Sequence, residues 1–284
     1  MSGTGLGIFL ALLSSVTTAS AHALLKSGND KLAIRAIIGA VGSLALLPVC
    51  FLVPLPTPEM LPWLAASSLL HVVYQLVLIR AYEASDFAVA YPIARGIAPL
   101  ATALLGMLLL GDQVTAEGLA GVGLISGGML LIAAGRSMAI SGLVAAALAG
   151  ILTTAYTIVD AHAIRMAPLA LTFVAWFFLL DGLIMCSIFA IVRRRQVASA
   201  VRSDGRQGVV AGLVSLIGFS ATLLALRFAP TGIVSALRET SVVFATLIAA
   251  FILHEHVDRR RVAGAAVIVT GAIVIVTYAG LNSP

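Results

Sequence analysis

Charge is what this chain has least of. Aspartate, glutamate, lysine and arginine make up 10% of its 284 residues, against about a quarter in a soluble domain. Too few ionic side chains are present to cover a water-facing surface. With 61% of its residues hydrophobic, the chain reads as an integral membrane protein with almost no room for a soluble domain. Cysteine is nearly missing as well. Cys50 and Cys186 fall in different apolar runs, which argues against a disulfide or a metal site and for small apolar packing groups. No HExxH, no spaced Cys/His cluster and no P-loop occurs, so neither metal nor other cofactor is expected. Gly218-Phe219-Ser220-Ala221 only approximates the serine motif of an intramembrane protease. No histidine is arranged to serve it, so no catalytic residue is assigned.

What is present is a series of apolar runs, at about 5–25, 33–53, 62–82, 87–110, 116–135, 140–162, 168–192, 207–227, 231–253 and 262–280. Each is close to the ~20 residues that cross the hydrocarbon of a bilayer as a helix. Ten helices follow. The formal net charge of +5 would suggest nucleic acid in a soluble protein, but here the bases lie between spans, where they report orientation instead. Lys26, Lys31, Arg35, Arg80, Arg136, Arg193, Arg194, Arg195, Arg202, Arg206, Arg259, Arg260 and Arg261 follow odd-numbered spans. Only Arg165 and Arg227 follow even-numbered ones. The odd connections are therefore expected in the cytoplasm and both chain ends outside. Ala19-Ser20-Ala21 resembles a signal-peptidase site, but no base precedes the first span, so that span is expected to be kept.

The chain repeats. Tyr91 to Asp112 lies over Val234 to Glu255 at a constant offset of 143, which also carries Gly121 onto Gly264 and Gly128 onto Gly271. Thr17-Thr18-Ala19 matches Thr153-Thr154-Ala155. Two five-helix halves, residues 1–138 and 139–284, are expected. Because five is odd, the second crosses the membrane in the opposite sense. The charges agree: Asp112 and Glu117 follow the fourth span without a base, whereas Arg259-Arg260-Arg261 follow the ninth. Inverted repeats of this kind place a substrate site at mid-membrane between halves that rock to give alternating access.

The repeat superposes Arg95 on Arg238, each near the middle of an apolar run. A guanidinium at bilayer depth costs roughly 2.5–3.5 kcal/mol on insertion scales, so two in register argue for a shared use, contact with an anionic group of a substrate. The alternative is a pair of permanently neutralised internal ion pairs. Pro92 and Pro99 flank Arg95-Gly96 and predict a kinked or unwound backbone there. Glu239 follows Arg238 directly, and adjacent helix positions point about 100° apart. One of the two is then expected to face the cavity while the other pairs elsewhere.

His71, Gln75, Leu78 and Tyr82 share one face of span three, with Tyr74 beside it. This face either lines a pathway or bonds neighbouring helices. Thr153, Thr157 and Asp160 form a similar stripe in span six, and Asp160 and His22 sit near span ends where water is within reach. Asp181 lies halfway along span seven in apolar surroundings, so it must be paired or protonated. Asp181 and Glu239 are the candidates for proton coupling. Gly118, Gly121, Gly123, Gly127 and Gly128 in span five permit close helix contact, including a GxxxG from Gly123 to Gly127, read first as internal packing and second as a homodimer contact.

Ala90-Tyr91-Pro92-Ile93-Ala94-Arg95-Gly96 with Pro99, Leu237-Arg238-Glu239-Thr240, and the turns Leu110-Gly111-Asp112 and His254-Glu255 resemble the EamA family of the drug/metabolite transporter superfamily. Asp, and a His before Glu, stand where that family has its LGE turn. The resemblance spans the whole chain and implies a basket of helices around a central cavity, with export of amino acids or other small metabolites. The small multidrug exporters of the superfamily carry an essential glutamate in their first helix, whereas residues 5–25 here contain no acid.

The chain is thus expected to be an all-α protein of ten transmembrane helices, in two inverted repeats around a cavity, in a bacterial-type inner membrane. Its partners would be the lipid bilayer and a small metabolite, an amino acid or else an organic anion. Arg95 and Arg238 would hold the anionic group, and His71, Tyr74, Gln75, Tyr82 and Tyr91 the rest of the molecule. The rival classes are an intramembrane enzyme and a channel or scaffold.

Overall fold

A computed structural model of the protein describes residues 3–26, 30–84, 87–134, 139–194, 197–247 and 257–281. Side chains at 22–26, 79–84, 87–91, 200 and 279–281 lie outside the description, which includes those of His22, Tyr82 and Tyr91. His254 and Glu255 also lie outside the described residues.

Every regular element among the described residues is a helix: α1 (Gly3–Lys26), α2 (Lys31–Cys50), α3 (Leu61–Ala84), α4 (Phe87–Leu109), α5 (Ala116–Ala133), α6 (Ile140–Met166), α7 (Ala170–Val192), α8 (Val197–Phe228), α9 (Thr231–Arg238), α10 (Ser241–Leu247) and α11 (Arg259–Leu281). Among them, nine are long and apolar enough to cross a membrane. The remaining crossing is entered by α9 and α10, giving ten in two inverted five-helix repeats. Local chemistry sets the ends. The Asp30 carboxylate accepts from the Leu32 and Ala33 amides at the start of α2, and the Thr115 hydroxyl accepts from the Gly118 amide at the start of α5, each satisfying orphan donors of a first turn. Gly111, at φ +68°, makes the left-handed turn out of α4.

The two arginine-bearing segments differ in a way the prolines do not foretell. α4 runs as one helix through both Pro92 and Pro99, so the expected unwinding is not there. The interruption falls in the other half, at 239–240, a point at which no proline stands. After Arg238 the bonding tightens from i→i+4 to i→i+3, Glu239 N–H to Ala236 O at 2.9 Å and Thr240 N–H to Leu237 O at 3.2 Å. The Thr240 hydroxyl caps the same Leu237 carbonyl at 2.7 Å, the kind of side-chain competition that loosens a helix. Such a 3₁₀ step inside a membrane helix often marks a hinge.

Inversion is visible in the glycines. A Cβ on Gly121 would stand 2.9 Å from the Gly271 carbonyl, and one on Gly128 would stand 2.8 Å from that of Gly264. Gly121 is the counterpart of Gly264, and Gly128 of Gly271. The two contacts are therefore one contact seen twice, and α5 and α11 pack antiparallel across an approximate two-fold axis. Gly123 and Gly127 have nothing near their Cβ positions and point away from this seam. Of the span-five glycines read as internal packing, Gly121 and Gly128 make that contact, whereas the Gly123–Gly127 pair does not and is corrected. α1 likewise packs on α8, α2 on α7, and α3 on α6, each pair joining opposite halves. The central cavity lies between these pairs.

Candidate functional site

Arg95 and Arg238 reach the middle of the molecule from opposite halves, α4 and α9, and are 5% and 6% exposed. Their surroundings differ. Arg95 Nη1 donates to Glu239 Oε1 at 3.0 Å, and Glu239 is 1% exposed. This ion pair between the halves settles the choice the sequence left open: Glu239 turns to α4 and Arg238 turns to the cavity. The Arg238 guanidinium carbon lies 5.9 Å from the centre of the Phe219 ring, a cation-π distance. Its Nε has no hydrogen-bond partner, and no carboxylate among the described residues lies within ion-pair reach of it. A buried guanidinium without a directly bonded carboxylate is costly. An anionic group arriving in the cavity would remove that cost.

The cavity has a volume of about 140 Å³. Arg238, Arg95 and Asp181 reach it at mid-membrane, Tyr74, Gln75 and Leu78 from α3, and Lys31 and Arg35 from the first turns of α2. It therefore runs from the centre toward the end that carries the basic connections. Gln75 Nε2 donates to Asp181 Oδ1 at 3.4 Å, and Asp181 is ion-paired to neither arginine among the described contacts. The Tyr74 and Tyr156 rings meet edge to face, 5.2 Å apart, and with Phe177, Phe178 and Phe219 give the chamber aromatic walls.

His71 shares the helix face of Gln75 but does not reach the cavity lining. Its Nε2 lies 2.9 Å from Asp160 Oδ2, and Asp160 also accepts from the Ser67 hydroxyl at 2.5 Å. Asp160 is 1% exposed, so it does not meet water at an interface as its place near a span end suggested. The His71 ring stacks on Tyr156 with centroids 3.9 Å apart and backs the aromatic wall from outside.

At the far end the halves are bolted together. Arg165, in the last turn of α6, donates through Nη1 to Asp112 Oδ1 at 2.6 Å, through Nε to the Leu226 carbonyl at 2.9 Å and through Nη2 to the Ala229 carbonyl at 3.1 Å. Asp112 Oδ2 accepts from the Thr231 amide, the first of α9, at 2.6 Å. Arg227 Nη1 donates to the Ile164 and Ala167 carbonyls at 2.8 and 3.0 Å. These three turns, α4–α5, α6–α7 and α8–α9, close the end opposite the cavity mouth. Arg165 and Arg227 were the two exceptions to the charge bias of the connections, and that is the signal by which sequence could have found them. Lys31 and Arg35 were read for orientation alone, and their place on the cavity wall was missed. Tyr156 and the phenylalanines carried no signal separating a chamber wall from ordinary core.

The sequence profile of the EamA-like transporter family matches the chain twice, over residues 5–134 and 140–277. No curated protein matches it. In the solved structures, a protein known from a crystal structure is similar with a TM-score of 0.75 and 19% identity, over 97% of this chain and 98% of the other. At that identity the likeness speaks for the fold alone.

Proposed function

The chain belongs to the EamA-like transporter family, of the drug/metabolite transporter superfamily, and on that premise we propose that this multi-pass membrane transporter of small molecules carries an amino acid. The substrate carboxylate docks on Arg238, the ammonium lies toward Asp181 and Gln75, and the side chain meets Tyr74 and the neighbouring aromatic rings. Arg95 acts through Glu239, which fixes the α9–α10 hinge against α4. The observation that carries this reading is the Arg238 guanidinium, 6% exposed and without an ion pair or side-chain hydrogen bond among the described residues, beside a cavity. Transport proceeds by alternating access, with 1–138 rocking against 139–284. The basic end lies in the cytoplasm of a bacterial-type inner membrane, both termini outside, and net movement is export.

Counterflow in proteoliposomes tests the proposal. Vesicles preloaded with unlabelled amino acid are expected to accumulate the labelled compound transiently, with saturation, and to return it chemically unchanged. Uptake linear in concentration would mean a channel, and altered product an enzyme. Either outcome removes the carrier reading.

A further inference from the structure

We infer that the substrate carries a second anionic group, held at the cavity mouth by Arg35 and Lys31, and is therefore an acidic amino acid. This deepens the carboxylate reading above and rests on it.

Among the described residues, the charges that meet in the chamber do not balance. Lys31, Arg35, Arg95 and Arg238 line it there, against the single carboxylate of Asp181. Glu239 neutralises Arg95 from behind the wall. Arg238 is one of the remaining cations, and a single substrate carboxylate satisfies it. Lys31 and Arg35 have no ion pair or hydrogen bond with any described residue. They stand four residues apart on α2, one turn of the same face. Arg35 also lies within electrostatic range of Asp181, so the mouth station and the carboxylate assigned to the ammonium are neighbours across the same space.

Orientation alone does not explain this pair. Bases that only mark the cytoplasmic side belong in the connections, and Arg193 there is tied to Asp30, Nε to Oδ2 at 3.0 Å. Lys31 and Arg35 instead face into a chamber of about 140 Å³. The order along the chamber, guanidinium at mid-membrane, carboxylate, then guanidinium and ammonium at the mouth, mirrors α-carboxylate, amine and side-chain carboxylate. A neutral amino acid would leave the mouth station facing an uncharged side chain, and a site built for a charged group discriminates strongly against an analogue lacking it.

Purified protein is titrated with aspartate against asparagine and glutamate against glutamine, pairs that differ in the second anionic group and little in size. Wild type is expected to bind the acidic member tighter by roughly tenfold or more, as expected for one hydrogen-bonded charge. Arg35→Gln should weaken the acidic member far more than its neutral partner and so collapse that gap, and Lys31→Gln should narrow it. The inference is overturned if wild type binds both members alike, or if Arg35→Gln weakens both members equally while Lys31→Gln changes nothing. Both members failing to bind wild type would refute the carboxylate reading itself, and this inference with it.

Discussion

Arg95→Ala is expected to destabilise the folded protein by about 3–5 kcal/mol, whereas Arg238→Ala leaves stability unchanged or raises it. The two residues are equivalent by sequence repeat and equally buried, so composition and depth give no reason for a difference. The difference comes from Glu239. Removing Arg95 strands a carboxylate that is 1% exposed and whose Oε2 already lacks a partner. Removing Arg238 deletes a guanidinium that makes no direct ion pair among the described residues and meets Glu239 only at longer range, at the cost of its contact with Phe219. Thermal unfolding in detergent reads both variants, and Arg95→Met combined with Glu239→Gln should recover most of the loss. Equal destabilisation by the two single variants would mean that Arg238 has an internal counter-charge after all.

Arg165→Ala is expected to open the end that the structure holds shut. Asp112 would lose its cation, and the Leu226 and Ala229 carbonyls and Thr231 hydroxyl their common donor. With about 1–3 kcal/mol lost from one conformation only, the ratio of the two facing states should move by roughly 5- to 150-fold. The readout is a cysteine placed at Ala103, which is 1% exposed in the α4–α9 seam, in a chain with Cys50 and Cys186 replaced by alanine. An impermeant thiol reagent added from the Asp112 side should label Ala103→Cys slowly with Arg165 present and much faster with Arg165→Ala. Unchanged labelling would show that the clasp holds the turns together without governing access.

The architecture was legible because membrane physics leaves a strong trace. Apolar runs of bilayer length, alternating charge of the connections and a repeat of odd helix number together imply two inverted halves, and the reciprocal Gly121–Gly271 and Gly128–Gly264 contacts are what that arrangement requires. The site was legible in part. Arg95 and Arg238 stood out because a guanidinium in an apolar run has no ordinary use. Sequence could not say which of them is spent on Glu239, since that depends on helix rotation and on the 3₁₀ step at 239–240, which no proline or glycine announces. His71 misled for a related reason: a helix face shows which residues turn together, not how far each reaches, and Asp160 takes its imidazole before it gets to the cavity.

The most direct measurement is the affinity of purified wild type and Arg238→Gln for an amino acid and for the amine that lacks its carboxylate. If Arg238 receives the carboxylate, wild type prefers the amino acid by roughly 2–4 kcal/mol, and Arg238→Gln binds the two alike. A preference that survives intact in Arg238→Gln would contradict the account.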